Sequence, residues 1–422
     1  MYTMNRNWKK TLIISLLLLT LSFSCEAAMA KTKVTIATYA NQRYQILKDV
    51  LVPKWQTAHP ELEIEVVIFP DFWNKLLLLL GTGDAPDIVD TAGTYLFGHV
   101  IRGGAVNLTP YIEKEPSLRP DNFWPGPLNE ARWPQPDGDG IYALPWGTVG
   151  GVLWYNIDLL NQAGVHPPNS YWTYDDLRAA AKKIARDTNG DGKNDIWGMA
   201  VDSTHTLFDP LVKAYGGYVL NPDRRSSGLD SPEAAKATQL LAELILQDGS
   251  AAMGQNFANG NVGFQIYNSS NISTITTRNP SLNWGVAMVP RGPVLRNAYG
   301  GSDMWEVMKR PNQEMDAVLT VLKELLSYDT LEAFWSVYDT AYNLPASRAH
   351  VNKLRPTQIQ QVLMESVQYM SDADWSPDWA QWQTAKRNGI NPILQGSISV
   401  QEGLRLAKQG IDNVLANAYG GM

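Results

Sequence analysis

Apolar and polar positions along the chain follow two rhythms. Residues 34–38, 62–68 and 87–91 are short apolar runs rich in β-branched side chains, the mark of buried strands. Between them, residues 45–56 and the stretch from Asp71 to Leu80 have helical spacing. Pro53 is expected to kink the first helix, Asp71 to cap the second, and Gly81 with Gly83 to stop it. This strand-helix series predicts an α/β fold with a mainly parallel sheet. Such sheets bind ligands beyond the carboxyl ends of their strands, here residues 38–43 and 91–95.

Caps and periodicity agree on three further helices. Thr173 and Asp176 have capping-box spacing ahead of a stripe of Leu177, Ala180, Ala181 and Ile184. Ser231-Pro232 opens a helix whose Ala237, Leu240, Leu241, Leu244 and Ile245 share a face. Ser399 with Glu402 opens the last, with Val400, Leu404, Ala407, Ile411 and Val414 turned to the body. These stripes are core. The five leucines at 76–80 cannot all face one core.

The first thirty residues carry Arg6, Lys9 and Lys10, an apolar run over 12–23, then Ala28-Met29-Ala30, which is the order of a secretory signal cleaved after Ala30. The single Cys25 falls inside it, so the exported chain would carry no thiol into an oxidising periplasm. The alternative, a lipid-modified Cys25, places the bulky Phe23 where a small residue is usual. No later apolar run approaches the roughly 20 residues that span a bilayer.

A length of 422 residues with 44% hydrophobic content predicts two or three domains, and a net charge of -7 argues against a non-specific nucleic-acid binder. Nucleophile elbows, zinc-protease helices, phosphate loops and dinucleotide fingerprints are absent, and the five histidines are scattered singly. A glycosidase needs only two carboxylates, which no spacing reveals, so a secreted carbohydrate-active enzyme stays open as the alternative.

Residues 187–195 place Asp187, Asn189, Asp191 and Asp195 at positions 1, 3, 5 and 9 with Gly192 at 6, the layout of a calcium loop. Position 12 is Gly198, so the closing carboxylate is missing. The same residues also suit a turn that bonds its own backbone. A structural Ca2+ is the one ion expected; no cofactor is required. Fifteen Trp and 18 Tyr are a rich aromatic endowment. A sugar ring, apolar on one face and hydroxylated at the rim, calls for such plates beside polar groups.

Several motifs, in this order, resemble the extracellular solute-binding proteins of ATP-driven importers. They are Gly83-Asp84-Ala85-Pro86-Asp87, Tyr142-Ala143-Leu144-Pro145-Trp146-Gly147, Trp154-Tyr155-Asn156, Ala163-Gly164-Val165 and Trp172-Thr173, then Phe257-Ala258-Asn259-Gly260, Val289-Pro290, Gly300-Gly301-Ser302 and Asn343-Leu344-Pro345. The chain is similar in particular to the carbohydrate-binding group that includes maltose-binding and glycerol-phosphate-binding members. The resemblance implies a two-lobed periplasmic-binding-protein type II fold, with residues 31–144 and 296–342 in lobe 1 and residues 145–295 and 343–422 in lobe 2. The lobes would be joined near 145–150, 290–300 and 343–347, closing on a carbohydrate that passes to a membrane permease. It also implies a monomer with no catalytic residues.

The same resemblance places Asn41, Gln42, Arg43, Thr91, Gly93, Thr94 and Tyr95 in the cleft from lobe 1. Lobe 2 would add Trp146, His205, Phe208, Tyr267 and Asn268. Gly301, Ser302, Asp303 and Trp305 follow the return crossing, with Trp379 or Trp382 as the late aromatic. The loop at Thr148-Val149-Gly150 is uncharged where the family often carries a carboxylate or Arg. A sugar or polyol phosphate is the nearest competing ligand, but Arg43 alone would be a thin phosphate site.

Overall fold

A computed structural model describes residues 31–133, 140–337, 344–351, 353, 356–371 and 374–420. The signal segment with Cys25, and Asn343 at the expected third crossing, lie outside the described residues. Nine strands make the frame: β1 (Thr32–Ala37), β2 (Leu62–Val67), β3 (Ile88–Ala92), β4 (Ala143–Asn156), β5 (Trp197–Val201), β6 (Ala251–Met253), β7 (Val262–Asn268), β8 (Trp284–Ala287) and β9 (Ala298–Val307). Their order is β2-β1-β3-β9-β4-β7-β5-β6, with β8 paired to β4.

The strands near each end of this order are parallel, β1 with β2 and β3, and β5 with β6 and β7. The two long strands in the middle run antiparallel to their neighbours. β4 is the link. Its first half, from Ala143 to Gly150, pairs with β9, while its second half, from Gly151 to Asn156, pairs with β7 and β8. The register slips between Asp303 and Met304, leaving Trp146 without a partner opposite Pro145 and Gly147. A proline has no N–H to give a ladder, so a bulge there is the natural accommodation.

Two apolar cores flank the link. One gathers β1, β3, Leu144, Trp305, Leu322 and Phe334; the other gathers Trp154, Phe208, Phe264, Leu363, Trp382, Ile390 and Ile411. Ala346 and Trp375 pack into the first core although they follow the third crossing, because Leu344–Pro345 adds to β4 on that side. The lobes touch away from the link too. The Arg224 guanidinium lies 5.0 Å from the Phe97 ring and 5.8 Å from Trp133, and the Tyr419 ring lies 6.4 Å from Trp133.

Local signals largely set the helices. Thr173 and Asp176 form a reciprocal capping box, Ser231 accepts from the Ala234 N–H, and Gly83 ends helix Phe72–Thr82 at φ 78°. Two details bear on the expectation. The helix before β2 widens to π geometry over Leu47–Leu51, a break just ahead of Pro53, where the kink was expected. Asp71 adopts φ 49° and bonds the Asn74 side chain instead of capping the backbone. Of the five leucines, Leu76 is buried while Leu78 stays 68% exposed.

Candidate functional site

The carboxyl end of β3, the start of β9 and the linking strand enclose a chamber of about 190 Å³. Its walls are Ala92, Gly93, Thr94, Val149, Tyr299, Gly301, Ser302, Asp303 and Trp375. Thr94 also lines a second, larger cavity of about 370 Å³, where Trp73, Tyr95, Arg102, Asp378 and Trp379 converge. A groove of similar size runs over the outer face of the second lobe past Asp175, Arg178 and Tyr215, far from the link. Of its two cations, Arg178 is already spent on Glu243 and Asp248. The interlobe pair of cavities is therefore the candidate site, at the strand ends where α/β sheets bind ligands.

Aromatic rings stand in both cavities, Trp73, Tyr95 and Trp379 in the larger and Tyr299 and Trp375 in the smaller. Trp73 and Tyr95 stack at 3.6 Å with planes 7° apart. His205 sits edge-on to Tyr299 at 5.0 Å and to Trp379 at 5.1 Å, and Trp375 lies 5.6 Å from Trp379. Burial among these rings drives the His205 pKa down to about 4, so the imidazole is neutral at pH 7. Gly93 is required where the cluster meets β3. A Cβ there would lie 2.3 Å from Trp375 Nε1. Gly93→Ala is accordingly expected to expel the Trp375 ring and weaken ligand binding at least tenfold ( puts overpacking at about 1–3 kcal/mol), as read by calorimetry; unchanged affinity would remove Trp375 from the site.

Polar walls alternate with the rings, and several of their side chains are engaged with one another or with a buried neighbour. Arg43 donates to Asp90 at 2.8 Å and to the Tyr39 hydroxyl at 2.8 Å, and Tyr39 in turn donates to Asp303 at 3.0 Å. Burial pushes the Asp90 carboxyl up, opposed by the Arg43 charge and the Thr38 hydroxyl. Arg102 faces Asp378 across the lobes at 3.7 Å. The described cations nearest the cavities are thus matched by carboxylates, an arrangement suited to a neutral guest.

Of the residues expected in the cleft, Gly93, Thr94, Tyr95, Gly301, Ser302, Asp303 and Trp379 line it, and His205 joins the aromatic cluster. Tyr267 is half-buried in β7, and burial raises its pKa with Asp202 nearby. Asn268 turns its carbonyl to the Ser270 N–H. Asn41 and Gln42 are exposed on the helix after β1, outside both cavities.

The other expected residues line neither cavity. Trp305, Trp382, Phe208 and Thr91 have no exposed surface; Trp146 is 4% exposed against Phe334, and Arg43 is held inside its ion pair. Trp73, Tyr299, Trp375 and Asp378 were missed. Of these, Trp375 carried only the general signal of an aromatic outside the periodic helices, and Trp73 lay within the helix expected over 71–80.

The acidic loop turns on itself. Asp187 accepts the N–H groups of Asn189, Gly190 and Gly192; Asp191 accepts that of Lys193; Asp195 takes Thr188 and Asn189. Hydrogen bonding lowers the Asp187 and Asp195 pKa values, chiefly from the Gly192 N–H and the Thr188 side chain respectively. Among the described residues no three His, Cys, Asp or Glu side chains converge as a metal cage. The expected calcium ligands read here as a self-bonded turn.

The sequence pattern of the bacterial extracellular solute-binding proteins matches residues 39–327, more than half of the chain. The chain belongs to this family. It is 28% identical over 314 residues to a binding protein of Brucella abortus, spanning 71% of this chain and 72% of that one. It is 27% identical over 191 residues to the arabinooligosaccharide-binding protein of Bacillus subtilis, spanning 42% of this chain and 41% of that one.

The cyclic α-maltosyl-1,6-maltose binding protein of Arthrobacter globiformis shares its fold at a TM-score of 0.75 and 22% identity, covering 92% of this chain and all of that one. The two-lobed periplasmic-binding-protein type II fold is thereby shown, with its α/β lobes on the shared link. Among the described residues of this solute-binding protein, no helix is long and apolar enough to cross a membrane.

Proposed function

We propose that this solute-binding protein captures a neutral oligosaccharide between its lobes outside the inner membrane, as a monomer, and delivers it to the permease of an ATP-driven importer. The observation that carries the sugar reading is the pairing of aromatic rings with a nearly charge-balanced cleft. Covering one ring face removes on the order of 50 Å² of apolar area, about 1 kcal/mol. Micromolar affinity needs about 8 kcal/mol, so several plates and hydrogen bonds must act together. The Trp73–Tyr95 stack, Trp375 and Trp379 provide that number.

Relatives that bind arabino-oligosaccharide and a cyclic maltosyl sugar support the class. The matched charges disfavour a sugar phosphate, which would want unpaired Arg or Lys. Because ligand would touch both lobes, it favours the closed arrangement in which both half-sites meet.

The deciding experiment is calorimetry of residues 31–422 with arabinotriose, maltotriose, mannotriose, glycerol 3-phosphate and an amino-acid panel, followed by chromatography of the recovered ligand. Reversible micromolar binding of at least one neutral trisaccharide, returned intact, is expected. Binding confined to the phosphate or an amino acid would overturn the ligand class. New reducing ends would overturn the non-enzymatic reading in favour of a glycoside hydrolase.

A further inference from the structure

We infer that Glu130, outside both cavities, is a positioning residue that sets the inner end of the cleft. This rests on the reading of the cleft as a sugar site. Glu130 follows helix Pro125–Asn129 and is almost wholly buried. Its Oε2 accepts two N–H groups from segments far apart in sequence, the Ser302 backbone at 2.9 Å and the Trp375 indole at 3.3 Å. Both donors belong to walls of the inner chamber. One carboxylate oxygen therefore ties the start of β9 to the late aromatic segment.

The consequences differ for the two walls. The Trp375 ring is gripped between this oxygen and the bare α-carbon of Gly93, where a Cβ would come within 2.3 Å. Together these contacts orient the ring at the chamber wall. Ser302 has its N–H committed to Glu130 while its hydroxyl, in a residue 4% exposed, has no partner within the protein. Leaving a buried hydroxyl unpaired carries a penalty that a guest's hydroxyl would relieve. Glu130 thus presents one flat apolar wall and one unsatisfied hydroxyl to the same small chamber, the requirements of a single terminal sugar ring.

The test compares Glu130→Ala, Glu130→Gln and Ser302→Ala with the parent protein. The Trp375 indole N–H signal, assigned by its loss in Trp375→Phe, is expected to move upfield and exchange faster in Glu130→Ala, and to keep its protection in Glu130→Gln. Calorimetry with maltotriose and arabinotriose should show affinity reduced about tenfold or more in Glu130→Ala, restored to within about threefold in Glu130→Gln, and reduced about fivefold or more in Ser302→Ala at unchanged melting temperature.

An unmoved indole signal with parent-like affinity in Glu130→Ala overturns the inference, as does parent-like affinity in Ser302→Ala if Glu130→Ala fails to fold. If the parent binds none of maltotriose, arabinotriose and mannotriose, the sugar reading fails. The indole signal then still decides whether Glu130 holds the ring.

Discussion

Lys386→Met is expected to destabilise the protein by about 3–5 kcal/mol, the cost of stranding one member of a buried ion pair. Lys386 has no exposed surface, and its ammonium is bonded to Asp209, whose other oxygen accepts from Gln383 at 3.0 Å. Burial pulls the Lys386 pKa down, and Asp209 opposes that pull. The ammonium also lies 5.5 Å from the Phe208 ring and 5.8 Å from Trp382. Without it the Asp209 carboxylate must be buried uncompensated or protonated.

Removing both charges, in Lys386→Met with Asp209→Leu, should recover most of the loss, since a pair's desolvation cost disappears with the pair. Urea midpoints measure both variants. A loss below about 1 kcal/mol in the single variant would mean the pair is hydrated in solution. The effect reaches the cleft because Lys386 lies on helix Trp379–Leu394, whose first residue is the cleft aromatic Trp379.

That helix also marks how far the site was readable from sequence. Trp379 and Trp382 are both aromatic and three residues apart, yet one borders the cleft and the other is core. The distinction was present in the spacing: Trp382, Lys386, Ile390 and Ile393 form a buried stripe. A lysine in the stripe disguised it. Arg43 failed differently, since nothing local announces that a carboxylate 47 residues later will bury beside it. Trp305 sits in a strand paired on both sides. A central strand buries both faces whatever its alternation.

Caps, glycine stops and strand runs were legible because each depends on a few adjacent residues. The acidic loop was ambiguous for a physical reason: oxygen at alternate positions can face a cation or the loop's own N–H groups, and the same residues suit both. Trp375 was unreachable without the fold. Its role depends on Gly93 and Glu130, which lie more than 240 residues earlier in the chain.

His205 should make stability fall as the pH drops from 7 to 4, by up to about 3 kcal/mol. Its pKa is about 4 in the folded protein against 6.5 when unperturbed. Between those values the unfolded chain takes up a proton that the folded protein refuses, so acid favours unfolding. Above pH 6.5 both forms are neutral and the contribution is complete; below about 4 the loss levels off. A difference of this size is worth about 3 kcal/mol at 1.36 kcal/mol per pKa unit.

Burial among Tyr299, Trp375 and Trp379 is the leading cause. Asp209 acts against it, while Lys386 and Arg387 add to it. Asp90, raised by burial, slopes the opposite way, because its folded form holds a proton the unfolded chain has released. His205→Gln separates the two: subtracting its urea midpoints from those of the parent at each pH isolates the histidine. The difference should be steep between pH 6.5 and 4 and flat above 7. A difference that stays flat through pH 5 would mean that the imidazole is hydrated and the aromatic cluster open, and an open cluster could not present the wall on which sugar capture depends.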